Sequence, residues 1–499
     1  VHQLVGVGTS DVYKIHNASG INTLRGLVER VFTVDYKQGK GFEAPIRVSS
    51  VGFNRAVKPA MAYLRKSIFQ ISKMTEEQFI GHYKIARLRN RYINASAALK
   101  VKSVERKDAN VQTFVKADKV NVTVKGDSCP RIISPRDPRY NLALGVYIKA
   151  IEGVLYTLLN GMCGGTTVMK GLNAVEVGGA IHEMWNQFGD PVAIPFDAVR
   201  FDQHTHTSQL KYEHKIYKMF YAGGDKQELA KLLSWQLKNF CKSFTPEAII
   251  SCITEIRCSG DMNTGLGTCL IACSIVYSFC KEYDIKFRLA NNGDDCVLIC
   301  ERSDLEVVQK WLHPYCKTAG YWFEVEPPVF RLEHISFCQA HPVYTERGWT
   351  MVRDFPTCIT KDCTSLLPLK DEKSWRKWAN DVGKGGMALC AGVPVLYSFY
   401  EKLAGLGNGT FGAHPNLHGT GFSYLSARLD TTRVHISPDA RISFWEAFGM
   451  SPEYQKSVEK RLEQQLIFFD RNLKGYQYTL DTDNSLRHSL NSFIIDYKN

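Results

Sequence analysis

Four aspartates carry the strongest chemical signal in this 499-residue chain. Two are adjacent, in Ala290-Asn291-Asn292-Gly293-Asp294-Asp295-Cys296, and two lie well upstream, at Asp197 and Asp202. Neighbouring carboxylates repel each other and stay ionised together only beside a cation, for which a divalent metal is the usual choice. A lone Gly-Asp-Asp turn reads equally well as a solvated loop, so its companions decide. Phosphoryl transfer with two metal ions needs at least two carboxylates to hold ions about 3.5–4 Å apart, with Lys or Arg groups around the phosphates. Lys116, Lys119, Arg131 and Arg136 lie in one turn-rich stretch and would suit a triphosphate if they converged. A basic edge strand is the plain alternative.

The elements that must position these groups follow from local pattern. Apolar and β-branched runs at 285–289 and 296–300 read as a hairpin with the two aspartates at its tip. An apolar strand at 191–197 ends in Asp197, and helices follow at 208–222 and 225–242. A strand is expected at 253–258, then a glycine-rich loop at 259–267 carrying Ser259, Gly260 and Thr264, then a helix. Residues 111–139 read as a hairpin with basic ends, 141–190 as mostly helical, 305–319 as an amphipathic helix, and 323–326 and 335–339 as strands. From about 345 onward helices dominate, with a glycine-rich loop at 405–421 that reads as mobile. A helix over 76–100 interleaves cations and aromatics, either as a solvated face or as a track for a phosphate backbone.

Length suggests two to four domain-sized lobes, and 44% hydrophobic residues are ample for a large core. Residues 1–140 hold 25 Lys/Arg against 11 Asp/Glu, a net +14, whereas the whole chain is +12. The excess therefore lies entirely in the first part and favours a polyanionic partner. Fifteen cysteines without a Cys-x-x-Cys pair read as free thiols of a reducing compartment, not as structural zinc. A long uncharged, largely apolar run, 262–280, is interrupted by polar residues and glycines, which favours a buried helix over a membrane span. His204, His206 and His214 lack the spacing of a zinc site and read as structural.

In combination these motifs resemble the RNA-dependent RNA polymerases of positive-strand RNA viruses, above all the tombusvirus-like plant-virus replicases. Asp197-Ala198-Val199-Arg200-Phe201-Asp202-Gln203-His204 looks like the family's first catalytic motif. Ser259-Gly260-Asp261-Met262-Asn263-Thr264-Gly265-Leu266-Gly267 looks like its second, and Asn292-Gly293-Asp294-Asp295 like its third. Ser336-Phe337-Cys338-Gln339 resembles the hairpin that grips the nascent strand, and the basic stretch from Phe114 to Arg136 resembles the ribbon that admits nucleotides. The motifs stand in the family's order over residues 80–340.

The resemblance implies an α+β closed right hand: fingers at 1–190 and 223–252, palm at 191–222 and 253–344 with an antiparallel sheet, and a mainly helical thumb at 345–499. It implies template-directed RNA synthesis with two Mg²⁺ or Mn²⁺ ions held by Asp197, Asp294 and Asp295. Asp202, Ser259, Gly260, Thr264 and Thr268 would serve the ribose. Lys116, Lys119, Arg131 and Arg136 would serve the triphosphate. Lys84, Arg87, Arg91, Lys170, Phe337, Cys338 and Gln339 would contact RNA. Thr268 stands where the family often has Asn, and Lys317 and Arg331 are candidates for the acid that protonates pyrophosphate. Partners would be template and nascent RNA, ribonucleoside triphosphates, another replicase protein, host factors and membrane, but not DNA, in the host cytoplasm at membrane-bound replication complexes. A reverse transcriptase and a non-catalytic RNA-binding scaffold are the rival readings. Asp202 speaks against the first and the intact aspartates against the second.

Overall fold

The centre of the computed structural model is a four-stranded antiparallel sheet. Its strands are β1 (Pro191–Ala198), β2 (Phe287–Asn292), β3 (Asp295–Glu301) and β4 (Phe323–Val325), in the order β2-β3-β1-β4. The structure describes residues 2–8, 11–36, 41–366, 369, 371–407, 422, 426, 428–469 and 477–478. The glycine-rich loop read at 405–421 lies outside them from residue 408 on.

Both faces of the sheet are covered, which is why β1 and β3 read as near-continuous apolar runs. Side chains alternate between faces with a period of two. Val192, Ile194, Phe196 and Ala198 of β1, with Cys296, Leu298 and Cys300 of β3, enter the larger core. Helices α1 (Pro138–Met162), α3 (Thr207–Met219) and α4 (Thr264–Glu282) complete it. Ala193 of β1 and Val297 and Ile299 of β3 face a second core against α2 (Ala174–Trp185), where Val177, Ile181 and Met184 meet them. Each fully buried Val, Ile, Leu or Phe contributes about 1.5–3 kcal/mol. Pro195 sits within β1 at no cost to the ladder. Its carbonyl accepts from the Glu326 N–H at 2.9 Å, just past the end of β4, so its missing donor faces the point where pairing runs out.

The uncharged run forms α4, buried at every position from Leu266 to Cys280, so it is a core helix. Helices α1 and α4 are both long and apolar enough to cross a membrane. The basic stretch folds as a broken ribbon. Phe114–Val115 pairs with Ile132–Ile133, while Val120–Asn121 pairs instead with Tyr13–His16. The helix expected over 76–100 is two, Glu76–Gly81 and Ala86–Val101.

Three expectations are corrected. The helix expected over 225–242 ends at Ser234, and Asn239–Phe244 is a strand paired with Ile249–Thr254. In that stretch Phe240 and Phe244 are exposed while Cys241 and Ser243 are buried, an alternation of strand period. The strand expected at 253–258 therefore lies earlier. The strand expected at 335–339 is a tight turn, and the strands are His341–Thr345 and Gly348–Val352, one hairpin beyond it.

After that hairpin the chain is mainly helical around its own core, centred on α5 (Glu372–Leu389) and α6 (Leu396–Ala404). A Cβ at Gly386 would fall 2.0 Å from the Tyr400 ring, so glycine alone allows the two helices to pack this closely. The N-terminal strand His2–Val5 pairs with Thr364–Ser365 and with Phe468–Phe469, tying the two ends of the described chain together.

Candidate active site

The sheet carries two of the aspartates to one place through the parity of its strands. Asp197 and Asp295 share the odd-numbered face, and Asp294 occupies the two-residue loop closed by the Asn292–Asp295 pair. The loop's first residue, Gly293, has φ +90°, a conformation a Cβ would strain. The asparagines before it are not a flexible lead-in but part of β2. Asn291 is buried and donates to the Gly293 carbonyl at 2.7 Å, and Lys170 Nζ donates to Asn292 Oδ1 at 3.1 Å.

The cleft above the hairpin encloses about 590 Å³ and is lined by Asp197, Asp202, Ser259, Thr264, Thr268, Lys170 and Asp294, among others. Burial and then the charges of Asp294 and Asp295 push the Asp197 carboxyl up to about 7. Burial, then Asp294, also raises Asp295, while the Cys338 thiol and Lys170 pull it back. Such a set is short of positive charge, and its hard oxygen donors suit a divalent cation. Among the described residues no group of three or more His, Cys, Asp or Glu side chains is close enough as it stands to hold a metal ion.

Asp202 enters the cleft because Arg200 adopts a left-handed conformation, φ 54°, between β1 and the short helix Phe201–His204. The turn sends Phe201 into the core. Burial lifts the Asp202 carboxyl to about 6 against the pull of Arg257 and a hydrogen bond from Ser259. Arg257 is fully buried, pairs with Glu213, and donates to Thr268 Oγ1 at 3.0 Å. Thr268 in turn donates to the Thr264 carbonyl at 2.7 Å. A guanidinium thus supports the position where the resemblance leads one to expect an amide. Ser259 and Gly260 abut the returning basic ribbon: the Ser134 N–H donates to the Ser259 carbonyl at 2.7 Å, and Gly260 has φ 124° beside Pro135.

The expected grip hairpin is a turn in which Cys338 and Gln339 both have positive φ, 52° and 62°. The geometry is that of a type I′ turn, made here without Asn or Gly. It is held against the Asp294–Asp295 hairpin. Asn292 Nδ2 donates to Cys338 Sγ at 3.2 Å, and the thiol, kept protonated by burial at about 12, donates to Asp295 Oδ2 at 3.6 Å. Phe337, expected at RNA, is buried in the second core and anchors the turn.

The expected cations separate. Arg131 lines the cleft. Lys116 pairs with Asp118 at 3.1 Å in an adjoining cavity. Lys119 is enclosed there, donates to the Lys361 carbonyl at 2.9 Å, and is lowered by burial to about 8. Arg136 is buried, with Asp261 at 2.5 Å and Asn239 Oδ1 at 2.7 Å, so it holds the ribbon to the second-motif loop and not a ligand. In its place stand Arg30 and Arg200, which the sequence reading missed. Together with Arg131 they line both the cleft and the adjoining cavity of about 670 Å³. Arg30 is lowered to about 10 by burial and then by Arg200. No local pattern marks Arg30, whereas Arg200 stands inside the quoted motif.

Lys84, Arg87 and Arg91 are exposed and line neither cavity. Gln339 lines the adjoining one. Lys317 stacks over Trp322 at 4.6 Å and Arg331 pairs with Glu446, so neither proton-donor candidate lines the cleft. His204 bonds the Tyr36 hydroxyl at 2.5 Å and His214 bonds Gln236 at 3.2 Å, both structural as expected.

An antiparallel sheet that brings a strand-end aspartate to an Asp-Asp hairpin beside a serine-glycine loop defines a class, and the whole-chain comparison agrees with it. Residues 1–467 match the family of viral RNA-dependent RNA polymerases, and the chain belongs to that family. It is 38% identical over 477 residues to the RNA-directed RNA polymerases of Cucumber necrosis virus and of Tomato bushy stunt virus (strain Cherry). It is 37% identical over 480 residues to that of Tobacco necrosis virus (strain A). These alignments cover 93–96% of this chain but only 56–64% of the relatives, so the chain spans little more than half of their length.

Proposed function

We propose that this chain copies a positive-strand viral RNA genome from ribonucleoside triphosphates. The convergence of Asp197, Asp294 and Asp202 in one cleft, with three arginines at its margin, carries this reading. The fold serves it as a closed right hand: fingers at 1–190 and 223–252, palm at 191–222 and 253–344, thumb from 345. The strand His2–Val5, clamped between segments of the C-terminal half, supports the closure.

Asp197, Asp294 and Asp295 would hold two Mg²⁺ or Mn²⁺ ions. When bound, these ions supply activation of the attacking 3′-hydroxyl and charge neutralisation on the departing pyrophosphate. The chain's own groups do the rest. Asp202 accepts a hydrogen bond from the 2′-hydroxyl of the incoming nucleotide, held ready by Ser259 and by the field of Arg257. Arg30, Arg131 and Arg200 hold the triphosphate; three guanidiniums on one polyphosphate give charge-assisted and geometrically specific bonds. Lys170 fixes the hairpin through Asn292. The Cys338–Gln339 turn steadies the 3′ end of the growing strand next to Asp295. Another replicase protein, host factors and a membrane in the host cytoplasm complete the working complex.

The test is primer extension by purified protein on a defined RNA template, with Mg²⁺, Mn²⁺ or chelator, and with ribo- or deoxyribonucleotides. Metal-dependent, template-length RNA products are expected. Preferred use of deoxynucleotides would make the chain a reverse transcriptase, and RNA binding without any extension would make it a scaffold.

A further inference from the structure

The ribbon Asn239–Phe244 and Ile249–Thr254 has two unlike faces. Its inner face supplies Cys241 and Thr254 to the wall of the catalytic cleft. Its outer face sets Phe240, Lys242 and Phe244 opposite Ile253, Ser251 and Ile249. The four apolar residues are 43%, 60%, 50% and 57% exposed for Phe240, Phe244, Ile253 and Ile249, unusually high for adjacent large side chains on one sheet face. Val111–Gln112 extends the sheet, pairing parallel so that Gln112 stands beside Lys242. Two residues on, Phe114 is also exposed, in the neighbouring ribbon paired with Ile133.

The charge on this face is positive. The Arg106 guanidinium lies over the Phe240 ring at 5.6 Å. Lys238 and Lys242 are exposed and enter no ion pair among the described residues. The nearby acids are engaged: Glu247 accepts the Gly20 N–H at 2.8 Å, and Glu255 faces His206 at 3.5 Å. Alternate strand residues are roughly 7 Å apart, so the outer row reads aromatic, cation, aromatic along an extended line. Aromatic rings interleaved with cations on a flat sheet bind single-stranded nucleic acid, since every base offers a π-face and every linkage a phosphate. An apolar protein partner would leave Lys242 buried and unpaired at the centre of the contact, which is costly.

We infer that this outer face is a platform for single-stranded RNA, which holds the template as it approaches the cleft on the other side of the same sheet. The inference rests on the polymerase reading, because that reading makes the cleft wall an RNA surface.

The test compares wild type with the variant Phe240→Ala/Phe244→Ala and with Lys242→Ala. The probes are two fluorescein-labelled, unstructured RNAs, one confined to the cleft and one roughly 20 nucleotides long. Binding is read by fluorescence anisotropy against salt, and extension is read on the shorter strand. The double variant is expected to bind the long RNA at least about 10-fold more weakly, with binding and extension of the short RNA unchanged. Lys242→Ala is expected to weaken long-RNA binding evenly across sequences and to lower the salt slope by about one. Equal affinity of wild type and double variant for the long RNA overturns the inference. So does a wild-type dimer that the double variant dissolves with RNA affinity unchanged, since that assigns the face to a second copy. If wild type does not extend the short RNA, the polymerase reading fails, while the anisotropy comparison still judges the platform.

Discussion

Two sets of carboxylates, one at the cleft and one buried behind its walls, are treated in opposite ways. Glu213 is fully buried and receives Arg257, Asn263 Nδ2 at 2.5 Å and the Tyr217 hydroxyl at 2.8 Å. Asp261 is buried against Arg136 at 2.5 Å. Asp197, Asp294 and Asp295 crowd together instead, and Asp197 is driven to about 7. The first set is what a core requires: a buried charge with its partner and its hydrogen bonds. The second leaves repulsion standing in the folded protein, and only something cationic from solution relieves it. The difference separates carboxylates that the fold has already neutralised from carboxylates it leaves open to a cation.

The sharpest way to break this comparison is at the hairpin tip. Asp294→Asn or Asp197→Asn is expected to lower single-turnover extension by about three orders of magnitude or more, with RNA affinity nearly unchanged. Asp202→Ala should lower the preference for ribo- over deoxyribonucleotides by about 100-fold in competition assays, because it removes the acceptor proposed for the 2′-hydroxyl. Stability then tells the two sets apart. Glu213→Gln breaks a buried pair and should cost about 3–5 kcal/mol in denaturant unfolding, whereas Asp197→Asn should leave the metal-free protein no less stable. Equal losses would erase the distinction.

The smallest effect is in pH. The folded value of Asp197, about 7, lies above the ordinary 3.8, so the folded protein binds this proton more tightly than the unfolded one. Its contribution to metal-free stability is therefore greatest in acid and falls as pH rises from about 4 through about 7. Mn²⁺ competes with that proton, so the rise in melting temperature on adding Mn²⁺ should be larger near pH 8 than near pH 6, by a few degrees. An equal rise at both would mean that Asp197 is not at the cation.

Much of this was legible in the sequence because it is local. β1, the Asp-Asp hairpin, α4 and the order of the motifs each announce themselves through apolar runs, turn residues or spacing. What was not legible depends on distant partners. Arg136 and Arg131 look alike in the chain, yet one meets Asp261 from 125 residues away and the other meets the cleft. Arg30 reaches the site only through the tertiary fold. Phe337 looks exposed beside Cys338 and Gln339, but the tight turn after it directs it into the core. Short strands such as Asn239–Phe244 hide after a helix, because six residues of alternation are weak against a strong helical pattern upstream.

The parity of β1 reaches beyond the protein itself. Phe196 points into the larger core and Asp197 into the cleft, and a one-residue slip would exchange them, burying a carboxylate and setting a phenyl ring in the cleft. Substituting a codon in this strand alters one side chain, whereas gaining or losing one inverts every side chain after it. The RNA that encodes this chain can therefore vary in its letters here far more freely than in their number.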